Sequence, residues 1–198
     1  MTIAFTQTAK AAGSPARAAA TCCDDILLAR IAAGDRLAMH ALFARHRLAV
    51  YRWLVRIVRD EPLAEDLLSE VFLDVWRQAA TFKARSSVST WLLAIARNKA
   101  LSARRRRIDA ELDEGIASRI TDPADDPELA LEKKSRDQIL RACLGKLTPE
   151  HGEVIDLVYY HGKSIKDVAD IVGIPEATVK TRMFCARRKL ADLIKTAW

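Results

Sequence analysis

Ser89–Arg107, STWLLAIARNKALSARRRR, is the stretch whose reading decides the fold: it begins apolar and ends in four consecutive arginines. Wound as a helix of about 3.6 residues per turn, it sets Leu92, Ala96, Ala100 and Ala103 on one arc. Arg97, Asn98, Arg104 and Arg105 fall on the opposite arc. One face packs; the other presents charge. Leu101 lies among the charged residues, so the division is imperfect. No acidic residue interrupts the stretch, which suits a phosphate backbone. The same cations also suit a solvated helix end, where the macrodipole favours them.

Working outward, 198 residues suffice for one domain or two small ones, and half of them are hydrophobic, enough for a packed core. Only seven glycines, few aromatic residues and abundant Ala, Leu and Arg favour an all-α protein, since strands want Val, Thr and aromatic residues in alternation. The net charge of +6 points to a polyanionic partner, more through where the cations cluster than through their total. Cys22, Cys23, Cys143 and Cys185 form no CxxC pair, and His40, His46, His151 and His161 lack ligand spacing. No metal and no cofactor is expected; reduced thiols and a cytosolic, cytoplasmic home are. No apolar run approaches the length of a membrane span. The Ala-rich start is broken by Lys10, Gly13, Pro15 and Arg17 before a signal-peptide core can form, so residues 1–23 read as a disordered tail.

Upstream of the deciding stretch, Asp24 opens a short helix that Gly34 ends, and a longer one from Arg36 to Arg59 repeats apolar residues at three- and four-residue steps. His40 and His46 have no nucleophile or carboxylate at a recognisable offset and read as packing or surface residues. Pro62 starts a third helix with Leu63, Leu67, Val71 and Val75 as its ridge. Its other surface gathers Glu61, Glu65, Asp66, Glu70 and Asp74 beside Phe72 and Trp76. That mixture reads either as a protein-docking patch or, for the two aromatic residues, as core. The polar loop KARSSVST follows, with Ser89 or Thr90 available as the N-cap. Past Arg107 the composition reverses. Acidic residues accumulate beside Pro123 and Pro127, and 108–134 reads as an interdomain linker. Such a linker could also fold back on the basic segments, although solvation explains it with less.

Downstream, a helical segment ends at Gly145, and Thr148-Pro149-Glu150 starts a helix expected to reach His161. Then comes SIKDVADIVGIPEATVKTRMFCARRKL. Ser164 and Asp167 are spaced as a capping box, Gly173 gives a tight turn, and Pro175 and Glu176 restart a helix. Small Ala169, Gly173 and apolar Val179 let two helices cross closely, which makes this a helix-turn-helix. Its second helix offers Thr178, Lys180, Thr181, Arg182, Phe184, Arg187 and Arg188 to phosphates and base edges.

A basic helix after a WL-x-x-IARN pattern, followed through an acidic linker by ATVKTR-x-x-x-AR-x-KL, resembles the extracytoplasmic-function sigma factors of bacterial RNA polymerase. The similarity runs from about Asp24 to Leu193. It implies two helical domains on a flexible acidic linker: 24–107 like sigma region 2 and 135–198 like sigma region 4. AEDLLSEVFLDVW looks like the family's polymerase-binding helix, which assigns Asp66, Glu70, Phe72, Asp74 and Trp76 to the clamp helices of the largest subunit. TWLLAIARNKALSARRRR looks like the helix that melts and reads the −10 element. The resemblance gives that role to Lys83, Ser86, Ser87, Arg97, Asn98, Lys99, Arg104 and Arg105, with the loop 83–89 and Asn98 holding a flipped base. The helix-turn-helix resembles the reader of the −35 element, implying Ser164, Pro175, Thr178, Lys180, Thr181, Arg182, Phe184, Cys185, Arg187 and Arg188 on that surface. The partners implied are core RNA polymerase, through its clamp and the flap of the second-largest subunit, promoter DNA, and an anti-sigma factor. Ser69, Ser102, Ala177 and Cys185 depart from residues common in the family. The last two bear on promoter preference.

A dissociable initiation subunit is therefore expected, not an enzyme. A stand-alone helix-turn-helix regulator would instead bind palindromic half-sites without polymerase. A nucleic-acid enzyme is disfavoured because no carboxylate cluster, phosphate loop or nucleophile and base pair stands at a usable offset.

Overall fold

The structure, a computed structural model, describes residues 15–113, 139–140 and 142–197, with side chains over 23–108, 139–140 and 142–196. It is all-α across those residues. Helix α1 (Pro15–Ala32) is followed by α2 (Arg36–Val58), α3 (Glu61–Gln78), a 3-10 turn (Ala79–Thr81) and α4 (Val88–Asp113). After a helical stretch at 139–140 and 142–145 come α5 (Pro149–Tyr159), α6 (Ile165–Val172) and α7 (Glu176–Ala197).

Local chemistry sets the boundaries. Asp35 caps α2 by accepting from the amides of Leu37 and Ala38, and Asp60 caps α3 by accepting from Leu63. Those amides have no partner within a first turn, so each carboxylate satisfies donors that would otherwise need water. Helix α1 begins at Pro15, so residues 15–23, expected as tail, are helical. Proline suits the first helical position, and the run Ala18 to Ala20 has the highest helix propensity available. At the other end α4 continues to Asp113, through residues expected in the linker, because Ala110, Glu111 and Leu112 also favour helix. The rest of the expected linker, 114–134, and residues 1–14 of the expected tail lie outside the described residues.

In the first block α2 packs on α3 and α4, with α1 across α2 and the 3-10 turn. Leu92, Ala96 and Ala100 of α4 are fully buried and Ala103 nearly so, the face that their spacing predicts. Alanines let α4 approach its neighbours closely, and Trp53 of α2 donates from Nε1 to the Leu93 carbonyl at 3.2 Å, fixing their register. The second block packs α5 and α6 on α7 around Val154, Leu157, Val168, Val179, Met183 and Ala186. The two blocks touch: α4 lies along α6, and the buried apolar side chains of both form one continuous cluster.

Candidate nucleic-acid interface

The helix-turn-helix forms from its local signals. Ser164 accepts from the Asp167 amide through Oγ at 3.1 Å, while Asp167 accepts from the Ser164 amide at 3.1 Å and from its hydroxyl at 2.7 Å. Gly173 ends α6 at φ 75°, a left-handed conformation that a side chain disfavours. Val179 and Met183 bury one face of α7 against α5 and α6. Lys180, Thr181, Phe184, Cys185, Arg187 and Arg188 are left exposed on the other, with Thr178 and Arg182 half-buried. Phe184 keeps 66% of its surface in solvent, too much for a core residue. Arg187 lies over the Tyr159 ring, 5.8 Å from its centroid, which steadies one guanidinium at the helix edge. Ser164 and Pro175 are exposed at the starts of α6 and α7.

The second basic surface belongs to α4 and the loop before it. Ser87, not Ser89 or Thr90, caps α4: its Oγ accepts from the Thr90 amide at 3.2 Å. The hydroxyl of Thr90 turns instead toward the second block. Lys83 is exposed, Ser86 and Ser87 are half-buried, and Ala84 between them holds φ 50°, an unusual conformation for a residue with a Cβ. Asn98, Arg104 and Arg105 are exposed together.

Other residues of the expected −10 surface are engaged within the chain. Lys99 reaches Asp74 at 3.0 Å and Glu70 at 3.1 Å, and the bond to Asp74 above all raises its ammonium pKa despite partial burial. Arg97 donates to both carboxylate oxygens of Glu153 on α5. Arg107 bonds Asp60 at 3.2 Å, tying α4 to the cap of α3.

The acidic face of α3 divides. Asp66 and Glu70 are exposed, Asp74 is half-buried beside Lys99, and Trp76 is 38% exposed over a concavity shared with Arg36, Met39 and His40. Phe72 is core, 5% exposed and edge-on to Phe43 with ring centroids 4.8 Å apart. Of the two readings open for it, docking surface or core, this residue takes the core position. Position 72 falls on the ridge of Leu67, Val71 and Val75, whereas Trp76 lies past it.

Sequence reasoning missed Lys163, which is 6% exposed and donates to Ser89 and Thr90, and Glu153 opposite Arg97. No local signal marks either one. Among the described residues no group of His, Cys, Asp and Glu could hold a metal, and no helix is long and apolar enough to cross a membrane.

A compact helical block with an exposed acidic and aromatic face, joined to a helix-turn-helix with a basic outer helix, defines a DNA-binding protein that also docks on another protein. The sequence matches the Sigma-70 region 2 family over residues 42–108 and the Sigma-70, region 4 family over residues 137–190. The ECF RNA polymerase sigma factor SigK of Mycobacterium bovis (strain BCG / Pasteur 1173P2) is 30% identical over 174 residues, covering 86% of this chain and 92% of the relative. SigK of Mycobacterium sp. (strain KMS) is 32% identical over 166 residues, 80% and 84% of the two chains. Among solved structures, CnrH in complex with the cytosolic domain of CnrY matches with TM-score 0.63 and 26% identity over 88% of this chain and 98% of that one. The sigma factor RpoE in complex with the anti-sigma factor NepR, from Bartonella quintana, matches with TM-score 0.61 and 28% identity over 77% and 94%. The chain belongs to the ECF sigma factors of RNA polymerase. It is a transcription initiation factor, not an enzyme, and its partners are core RNA polymerase and promoter DNA.

Proposed function

We propose that the surfaces described above divide the work of initiation. Asp66, Glu70 and Trp76 of α3, with Asp74 at the edge, bind the clamp helices of the polymerase's largest subunit, and the second block docks on the flap of the second-largest. Acid and an exposed indole suit a basic, grooved partner. Lys83, Ser86, Ser87 and Asn98 hold an extruded base of the −10 element, and Arg104 and Arg105 follow its backbone, with Arg97 and Lys99 joining once released from their carboxylates. Melting follows from this capture: unstacking a base costs a few kcal/mol, which stacking and hydrogen bonds in the pocket offset.

The −35 element is read in the major groove by Lys180, Thr181, Phe184, Cys185, Arg187 and Arg188, with Ser164, Pro175, Thr178 and Arg182 at the flanking backbone. The observation that carries this reading is the exposure of that row on a helix whose opposite face is fully buried. The protein works in the cytoplasm, beside the chromosome. An anti-sigma factor controls it, in keeping with the complexes in which its structural neighbours were solved.

The test is run-off transcription from a genomic promoter library by purified core polymerase with and without the protein. New start sites sharing two spaced upstream elements are expected. No new transcripts, with tight duplex binding by the protein alone, would overturn the reading in favour of a stand-alone regulator.

A further inference from the structure

The cations of α4 and those of α7 are held in different ways. On α4, Arg97 meets Glu153, Lys99 meets Glu70 and Asp74, and Arg107 meets Asp60, so each faces an anion that a phosphate would have to displace. On α7, neither Lys180, Arg187 nor Arg188 enters an ion pair among the described residues. Arg187 is seated on a ring instead: its Cζ lies 5.8 Å from the ring centroid of Tyr159, the last residue of α5. The backbone there is fixed. The amides of Tyr160 and His161 donate to the Asp156 carbonyl at 2.9 and 3.1 Å, and that of Lys163 donates to the Leu157 carbonyl at 2.9 Å, closing the end of α5 that carries the ring. Core packing does not account for this tyrosine, since 59% of it lies in solvent.

A carboxylate and an aromatic face hold a guanidinium with different consequences. The carboxylate occupies up to two of its five N–H donors and offsets its charge; the ring attracts the cation through its face and leaves the donors at the guanidinium edge free for an anion. Arg187 stands seven residues past Lys180, about two helical turns, so the two cations share one line along α7. That line borders the buried arc of Val179, Met183 and Ala186, the side packed on α5 and α6.

We propose that Tyr159 is a positioning residue for DNA binding: its ring holds the Arg187 guanidinium where it meets a phosphate of the duplex read by α7, and the tyrosine itself does not touch DNA. The inference rests on the assignment of α7 to the −35 duplex. A long side chain that is free in solution must be ordered when it binds, and that ordering costs rotamer entropy. Held on the ring, Arg187 has given up part of this freedom before DNA arrives. The ring and not the hydroxyl supplies the hold, so the effect of a side chain at 159 follows the strength of its aromatic face. Trp ranks above Tyr and Phe, and all three above Leu.

The test is fluorescence anisotropy of the full chain with a labelled, randomised duplex of about 20 base pairs, at salt concentrations between about 50 and about 200 mM. Arg187→Ala should weaken binding and lower the slope of log affinity against log salt by about one, the loss of one phosphate contact. Tyr159→Leu should weaken binding about two- to fivefold with part of the same loss of slope, Tyr159→Phe should match wild type, and Tyr159→Trp should equal or exceed it. In an Arg187→Ala background Tyr159→Leu should cost nothing further, because no guanidinium is left to hold. Urea denaturation of the same variants should show little change, as befits an exposed ring. An equal loss from Tyr159→Leu with and without Arg187 would overturn the proposal. So would a loss for Tyr159→Phe as large as that for Tyr159→Leu, which would put the hydroxyl on the DNA. If neither Arg187→Ala nor Tyr159→Leu changes affinity, Lys180→Ala and Arg188→Ala locate the failure. Weaker binding in those two leaves α7 on the duplex and refutes only the role given to Tyr159; no loss in any of the four refutes the assignment of α7 itself.

Discussion

Phe72 and Phe43 lock α3 onto α2, their rings edge-on with centroids 4.8 Å apart and an interplanar angle of 72°. Four residues on, Trp76 leaves 38% of its surface in solvent. Phe72→Ala should lower stability by about 3–5 kcal/mol, the cost of a cavity in a packed core, measured by urea denaturation. Trp76→Ala should cost less than about 1 kcal/mol in the same assay yet weaken binding to core polymerase. Equal polymerase affinity for wild type and Trp76→Ala in a pull-down titration would remove Trp76 from the docking surface.

Lys99 bridges Glu70 and Asp74, so one cation links α4 to the acidic face of α3. Its pKa is raised, chiefly by the bond to Asp74, so the contribution is fully present below 10.5 and is lost as pH rises through the elevated value. With 28% of the side chain exposed, screening limits the gain, and Lys99→Met should cost no more than about 1 kcal/mol at neutral pH. Chemical denaturation at neutral and strongly alkaline pH checks both statements, since the difference between wild type and variant should shrink at high pH.

Gly173 turns the chain between α6 and α7 with open space where a Cβ would sit. Gly173→Ala should therefore cost only the left-handed backbone penalty, about 1–2 kcal/mol, and preserve the fold by circular dichroism. A much larger loss in thermal melting would mean that sterics, not backbone conformation, require glycine there.

His46 lies against Asp24 with 12% of its side chain exposed and Nε2 2.8 Å from the carboxylate. Burial lowers its pKa below 6.5, outweighing the attraction of Asp24, and Arg45 and Lys163 push the same way as burial. The unfolded chain then takes up a proton that the folded one resists. Stability should fall as pH drops through 6.5 toward the lowered value. Melting curves between about pH 7.5 and about pH 5.5 should show this decline for wild type and a flatter profile for His46→Gln.

Lys180 projects from the exposed face of α7. Lys180→Ala should weaken binding to a −35 duplex by about 1–3 kcal/mol and leave affinity for core polymerase unchanged, as electrophoretic mobility shift and pull-down titration would report.

The order and ends of most helices were legible in the sequence because their causes are local. An Asp or Ser accepts from amides two or three residues on, a glycine supplies one left-handed turn, and the buried arc of α4 follows from helical period alone. Where local signals competed the reading slipped. Ser87, Ser89 and Thr90 all qualify as a cap, and only the second block, which draws the Thr90 hydroxyl to Asp167, leaves Ser87 in that place.

Membership of the sigma family, with a region 2 segment followed by a region 4 segment, was likewise written in motif order. What each charge does in the free protein was not. Whether Phe72 packs, which carboxylates hold Lys99, and what Arg97 and Thr90 meet depend on residues brought together by packing. Arg97 and Glu153 are 56 positions apart, and Thr90 and Asp167 are 77 apart. Helical periodicity fixes which side of its own helix a residue occupies and carries no information about which other helix faces that side. Tertiary structure alone decided that the start of α4 and the helix-turn-helix meet, because it takes the apolar faces of both blocks, merged into one cluster, to bring Lys163 over the hydroxyls of α4.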